Sequence, residues 1–174
     1  MKNFKLFLFI SLISLTFSCS KDEENPTPTN SGEIIGVWKG TTVNYTGSST
    51  TTVQGQSTIA DYIGEGYDVN YTLTFIENTK KFVSDGSFSI ELTGTVNGQT
   101  FTQNVENQEL IPSGDWSVNG KTLSFIIDNE TDDATIVELT NNTLILNLVK
   151  TETNTDSDFT VTSTSDVTIS FIKQ

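Results

Sequence analysis

From Ile34 onward, apolar and polar residues alternate with a period of two, and this constrains the fold more than any other feature of the chain. In VNYTLTFI (69–76), Val69, Tyr71, Leu73 and Phe75 fall on one side and Asn70, Thr72 and Thr74 on the other. SFSIEL (87–92) sets Phe88, Ile90 and Leu92 against Ser87, Ser89 and Glu91. VTISFI (167–172) sets Val167, Ile169 and Phe171 against Thr168 and Ser170. Successive side chains of a strand point to opposite faces, so the pattern describes strands with one buried and one wet face. Thr, Val, Ile, Phe and Tyr, which dominate these runs, are the residues that fit such a surface.

The turn signals agree. Asn97-Gly98 lies between GTV and QTF, and Asn119-Gly120 between WSV and KTL. Asn-Gly tolerates positive φ at both central positions and predicts a type I′ hairpin. Asp85-Gly86 and Asn141-Asn142 are weaker signals of the same kind. The expected strands are roughly 35–46, 67–77, 80–96 with a potential break at Asp85-Gly86, 99–108, 114–118, 121–128, 134–140, 143–152 and 160–172. The stretch 47–66 reads as irregular, with STIADYI (57–63) as one short helical turn. Nearly all connections are short, so consecutive strands should pair as a meander. A Greek-key β-sandwich, the alternative, needs a long crossover. The pattern therefore favours an all-β, up-and-down antiparallel barrel of about eight to ten strands, whose closure also removes exposed edges.

The chain holds one cysteine, Cys19, so no disulfide can form within it. A hydrophobic core must hold the domain from 34 to 174, which is long enough for one. Ahead of Cys19 the sequence is MKNFKLFLFISLISLTFS: Lys2 and Lys5, then an uncharged apolar run from Leu6 to Phe17, then the small Ser18. These are the parts of a secretory signal, and the apolar run is short of the roughly 20 residues that span a bilayer. After Cys19 the chain turns acidic and rich in Asn, Pro, Thr and Ser. Such a segment buries too little apolar surface to fold by itself. The expected organisation is a signal at 1–18, Cys19 with a flexible acidic tether at 19–33, and a folded domain at 34–174.

A lone cysteine just after the apolar run resembles the lipobox of bacterial lipoproteins, although Thr16 stands where Leu is usual. The resemblance implies cleavage before Cys19, a diacylglyceryl group on its sulfur and an acyl chain such as palmitate on the new amine. One chain binds a membrane only marginally, and several hold firmly, at roughly 0.8 kcal/mol per buried CH₂. KDEE (21–24) resembles the signal that sends such lipoproteins to the outer face of the outer membrane. The expected location is the outer membrane, facing the exterior, with the periplasmic face as the alternative.

Charge and composition exclude several functions. The formal charge is −13, every basic residue is Lys, and there is neither His nor Arg. Without a basic patch there is nothing to displace counterions from phosphates, so nucleic acid is not an expected partner. Without His, and with the lone Cys acylated, the Ser-His-Asp, Cys-His and His-zinc chemistries are missing. Carboxylate-pair chemistry remains open, but the acids cluster in turns and tails. DNETDDAT (128–135) and TNTDSDF (153–159) lack the Gly and closing Glu of a calcium loop, so they read as solvated turns. No metal, cofactor or catalytic residue is expected, and the protein reads as a non-enzyme.

IIGVWKG (34–40) carries a Gly-x-Trp at the head of the first strand. It is followed by GDWSVNGKTLSF (114–125) and ATIVELTNNTLIL (134–146). In this order, behind a lipobox-like cysteine, they resemble the lipocalin-like domain lipoproteins of the Bacteroidetes type. The resemblance implies that Trp38 closes the base of the barrel. Lipocalins usually pack a C-terminal Arg over that Trp, and here the basic residue in that place is Lys173. Trp38 and Trp116 are read as structural aromatics. The expected function is non-catalytic binding of a small apolar or amphipathic ligand, with Tyr71, Phe75 and Phe88 lining its site. The alternative is a structural or adhesive surface protein whose barrel is filled by side chains.

Overall fold

The computed structural model describes residues 33–174 and is all-β. Its strands are β1 (Gly36–Val53), β2 (Gln56–Ile76), β3 (Lys81–Val96), β4 (Gln99–Gln108), β5 (Gly114–Asn119), β6 (Thr122–Ile127), β7 (Glu130–Leu139), β8 (Thr143–Thr155) and β9 (Phe159–Lys173). Every pairing is antiparallel, and the order β2-β1-β9-β8-β7-β6-β5-β3-β4 closes through a β2–β3 pairing. The ring thus has eight strands, and β4 hangs from β3 outside it.

The meander breaks at one place. β4 pairs with the upper half of β3, from Phe88 to Val96, while β5 pairs with its foot through Lys81↔Asp115 and Phe82↔Gly114. β5, β6 and β7 do not reach as high as their neighbours. The lower half of the molecule is therefore a closed barrel. The upper half is an open six-stranded sheet, β8-β9-β1-β2-β3-β4, that continues one wall upward.

The segment 47–66 is not irregular and contains no helical turn. It is the upper part of the β1–β2 hairpin, paired from Asn44↔Glu65 to Val53↔Gln56. The loop is Gln54-Gly55 with φ of 49° and 82°, a type I′ pattern. Asn97-Gly98 is the expected type I′ turn, with φ of 50° and 78°. The β5–β6 turn differs from expectation by one residue. Asn119 pairs with Thr122, so Gly120 and Lys121 are the central pair, and only Gly120 has positive φ, at 60°. That is the type II′ pattern, with Gly in first place. Asp85-Gly86 does not interrupt β3, which runs through it.

The core fills the closed half. Trp38, Leu73, Leu123, Leu144, Leu146 and Phe171 are wholly buried, and Phe75, Phe82, Phe125, Ile136 and Ile169 are 1% exposed. Phe75 is the hub of an aromatic cluster, with ring centroids 5.5 Å from Trp116, 6.4 Å from Phe82 and 6.3 Å from Phe125. Phe82 meets Phe125 edge to face at 5.0 Å, an arrangement the ring quadrupoles favour. Among the described residues no buried side-chain nitrogen or oxygen lacks a hydrogen-bond partner.

Candidate binding surface

The base is capped by two tryptophans in matching settings. Trp38 donates from Nε1 to the Ile34 carbonyl at 2.6 Å, and Lys173 Nζ lies 5.1 Å from its ring centroid. Trp116 donates from Nε1 to the Ile76 carbonyl at 3.4 Å, and Lys80 Nζ lies 4.5 Å from its ring. Lys173 therefore takes the place over Trp38 that the resemblance noted above gives to an arginine. It also donates to the Glu33 carbonyl at 3.0 Å, tying the first described residue to the last strand. Each cation over a ring contributes about 0.5–1 kcal/mol when exposed. The Lys80–Trp116 pair had no signal in the sequence, because Lys80 comes from the β2–β3 loop and the two meet only when β5 returns to the foot of β3.

Tyr71, Phe75 and Phe88 all belong to the packed core, at 1%, 1% and 5% exposure. The Tyr71 hydroxyl is 3.0 Å from Ser84 Oγ, and the Tyr71 ring lies 6.3 Å from Phe171. Burial pushes the Tyr71 hydroxyl well above the ordinary tyrosine range, and the Ser84 bond opposes part of that rise. Cys19 lies outside the described residues. Among the described residues no group of three or more His, Cys, Asp or Glu is placed to hold a metal.

Among the open clefts of the described residues, three have large apolar or aromatic linings, and none of them is lined by Tyr71, Phe75 or Phe88. One of about 630 Å³ lies at the base, lined by Ile34, Trp116, Val118 and Leu139 together with the charged Glu77 and Lys80. A second, of about 190 Å³, lies at the barrel mouth between Leu110, Leu148 and Val167, beside Asp132, Asp133 and Lys150. The third, of about 350 Å³, lies on the upper sheet among Tyr45, Ser49, Tyr62, Leu92, Phe101 and Gln103.

Two irregularities place that third set of side chains. β1 shifts register between Gly40 and Thr42, and β2 between Tyr67 and Asn70, where Asp68 has φ of 50°. An extra residue in a strand reverses which side chains face inward. Above the two bulges, Val43, Tyr45 and Gly47 of β1 and Gly66, Gly64 and Tyr62 of β2 therefore continue the barrel's inner face. The register brings Leu92 and Gly94 of β3, and Phe101 and Gln103 of β4, onto the same side.

The glycines let the large side chains lie across their neighbours. Gly47 pairs with Tyr62 and Gly94 with Phe101, and a Cβ at either glycine would collide with the partner's ring. Each ring thus occupies the space where a side chain would rise, covering backbone that glycine would otherwise leave bare. Tyr45 and Tyr62 stack with centroids 5.7 Å apart and planes 17° off parallel. Burial, with a smaller effect from Tyr45, pushes Tyr62 up to about 12.

A closed, side-chain-filled eight-stranded ring with an open aromatic wall above its mouth defines the molecule as an antiparallel β-barrel of up-and-down type. Residues 34–146 match the lipocalin-like domain family, and the chain belongs to it. No curated protein and no solved structure matches the chain.

Proposed function

We propose that the protein is a lipid-anchored cell-envelope lipoprotein that binds a small apolar or amphipathic ligand without catalysis. In this reading the ligand sits on the aromatic floor above the barrel mouth rather than inside the barrel. One contrast carries it. The lower barrel is packed solid around Phe75, whereas Tyr45, Tyr62, Leu92 and Phe101 form an open cleft on the same inner face. Lipocalin-like membership supports a ligand-binding barrel. The absence of His and Arg from the whole chain removes the commonest catalytic sets and supports a non-enzymatic role. The lipobox-like FSC and KDEE support anchoring at Cys19 and display on the outer face of the outer membrane.

Two measurements test this. Cys19→Ser should move the full chain from the membrane fraction to the soluble one, and a variant held as firmly as wild type removes Cys19 as the anchor. That soluble chain should bind Nile red, a neutral apolar dye. Tyr62→Ala should weaken the binding and Phe75→Leu should leave it unchanged. The packed interior also favours the alternative, a structural or adhesive surface protein. A chain that takes up no dye supports that alternative and ends the binding reading.

A further inference from the structure

Charge separates these three apolar-lined clefts. The base cleft includes Glu77 and Lys80, and the mouth cleft includes Asp132, Asp133 and Lys150. The upper cleft has no charged lining residue, in a chain of net charge −13. Its floor offers ring faces from Tyr45, Tyr62 and Phe101, with Leu92 between strands. Its polar groups are neutral: the Gln103 amide and the Ser49 hydroxyl, the latter 3.1 Å from Ser163 Oγ. The Tyr62 hydroxyl donates over long distances, 3.5 Å each, to the carbonyls of Ser48 and Thr164, so a closer ligand oxygen can accept its hydrogen bond instead.

This combination selects among ligands. An anion finds no cation here and meets an acidic protein. A cation finds aromatic faces but no carboxylate in the cleft. A plain alkyl chain uses the rings and makes no use of the amide and hydroxyls at the edge. A neutral sugar ring uses both. Its C–H face covers an aromatic ring, and its equatorial hydroxyls reach neutral donors and acceptors at the edge. The cleft is open rather than enclosed, so a chain of such rings can lie along the strands without its ends being buried.

We infer that the floor formed by Tyr45, Tyr62 and Phe101 binds a neutral glycan chain, with Ser49 and Gln103 at its polar edge. This rests on the proposal of an amphipathic ligand on the upper sheet and names its class. Tyr62 and Phe101 carry the stacking because each ring lies across a glycine, held in place before any ligand arrives.

The test is native affinity electrophoresis of the full chain, extracted in a polyoxyethylene detergent, through gels containing hydroxyethylcellulose, galactomannan or laminarin, with alginate as the anionic contrast. Retardation is expected in at least one neutral gel and not in alginate. Tyr62→Ala and Phe101→Ala should each weaken it up to about tenfold, the scale of one lost aromatic contact. Val149→Ala, on the opposite face of the sheet, should migrate like wild type. Far-UV circular dichroism confirms that each variant is folded. No retardation in any neutral gel overturns the proposal, as does retardation that Tyr62→Ala leaves intact. If the soluble chain binds Nile red through Tyr62 while no glycan is bound, the glycan falls and the apolar-ligand reading stands. If neither binds, both fall. A concentration-dependent dimer in sedimentation that Tyr62→Ala dissolves also overturns it, by assigning the floor to a second copy of the chain.

Discussion

Replacing Phe75 with Ala tests whether the closed half of the barrel is solid. The side chain is 1% exposed and touches Trp116, Phe82 and Phe125. Truncating a buried Phe to Ala costs about 3–5 kcal/mol, combining lost transfer energy with the cavity left behind. Aromatic pairs add about 0.5–1.5 kcal/mol each beyond area, and three are lost, which places Phe75 toward the upper end. The strands around it are tied by ladder bonds on both sides and cannot collapse into the space. A domain stability of about 5–15 kcal/mol leaves the variant able to fold. At about 2–4 °C per kcal/mol for a chain of this size, Tm should fall by roughly 8–20 °C. Urea unfolding followed by tryptophan fluorescence measures the loss directly, because Trp116 packs edge-on against Phe75. A loss below about 1.5 kcal/mol would refute the reasoning, since it would mean that the interior around Phe75 is already hollow.

At the β5–β6 turn, Gly120→Val should cost about 1–2 kcal/mol through the positive φ alone, because nothing lies within 4 Å of a Cβ built there. A loss under 0.5 kcal/mol by urea unfolding, the size of an ordinary surface substitution, would refute that turn geometry. Alkali should destabilise the fold as well. Tyr62 is raised to about 12 from an ordinary value of 10.0, and Tyr71 is raised further by burial. The native state therefore holds protons that the unfolded chain gives up, so this contribution is fully present below pH 10 and is lost as pH rises toward 12. Urea midpoints at pH 9 and pH 11 should show the fall, and Tyr71→Phe should make it shallower. Equal slopes in the two proteins would assign the alkaline loss to other groups.

The closed half of the barrel was legible in the sequence because its strands alternate in the simplest way. Tyr71, Leu73 and Phe75 point inward as the period of two requires, and so do Phe88, Ile90, Ile169 and Phe171. The open sheet was hidden by the two bulges. Continued from Phe75 toward the hairpin tip at a strict period of two, β2 would send Ile63 and Ile59 inward with Glu65 and Asp61. The bulge at Asp68 reverses this, leaving Ile59 and Ile63 58% and 63% exposed and turning Gly64, Tyr62 and Ala60 inward. The inner residues there are mostly Gly, Ser, Thr and Ala, so no apolar alternation survives and the stretch looks irregular. The aromatic floor was beyond reach for the same reason. Tyr45, Tyr62 and Phe101 come from three strands, and the glycines that let their rings lie down belong to the strands opposite.

The molecule's two ends have different relations to the proposed anchor, and this bears on where a ligand comes from. Glu33, the first described residue, is held at the base by Lys173, beside the Trp38 and Trp116 caps. The hairpin tips at Gln54-Gly55 and Asn97-Gly98 lie at the other end. From Trp38 to Val53 the β1 strand rises about 50 Å at 3.3 Å per residue. Under the proposed anchoring at Cys19, a tether ending at residue 33 would join the domain at its base, the end opposite the aromatic floor. The lower barrel, between the base and the floor, is filled by a core that includes Phe75, Phe82 and Phe125. A ligand arriving from solvent meets the open floor directly, which favours a water-borne, amphipathic ligand over one passed up through the barrel interior.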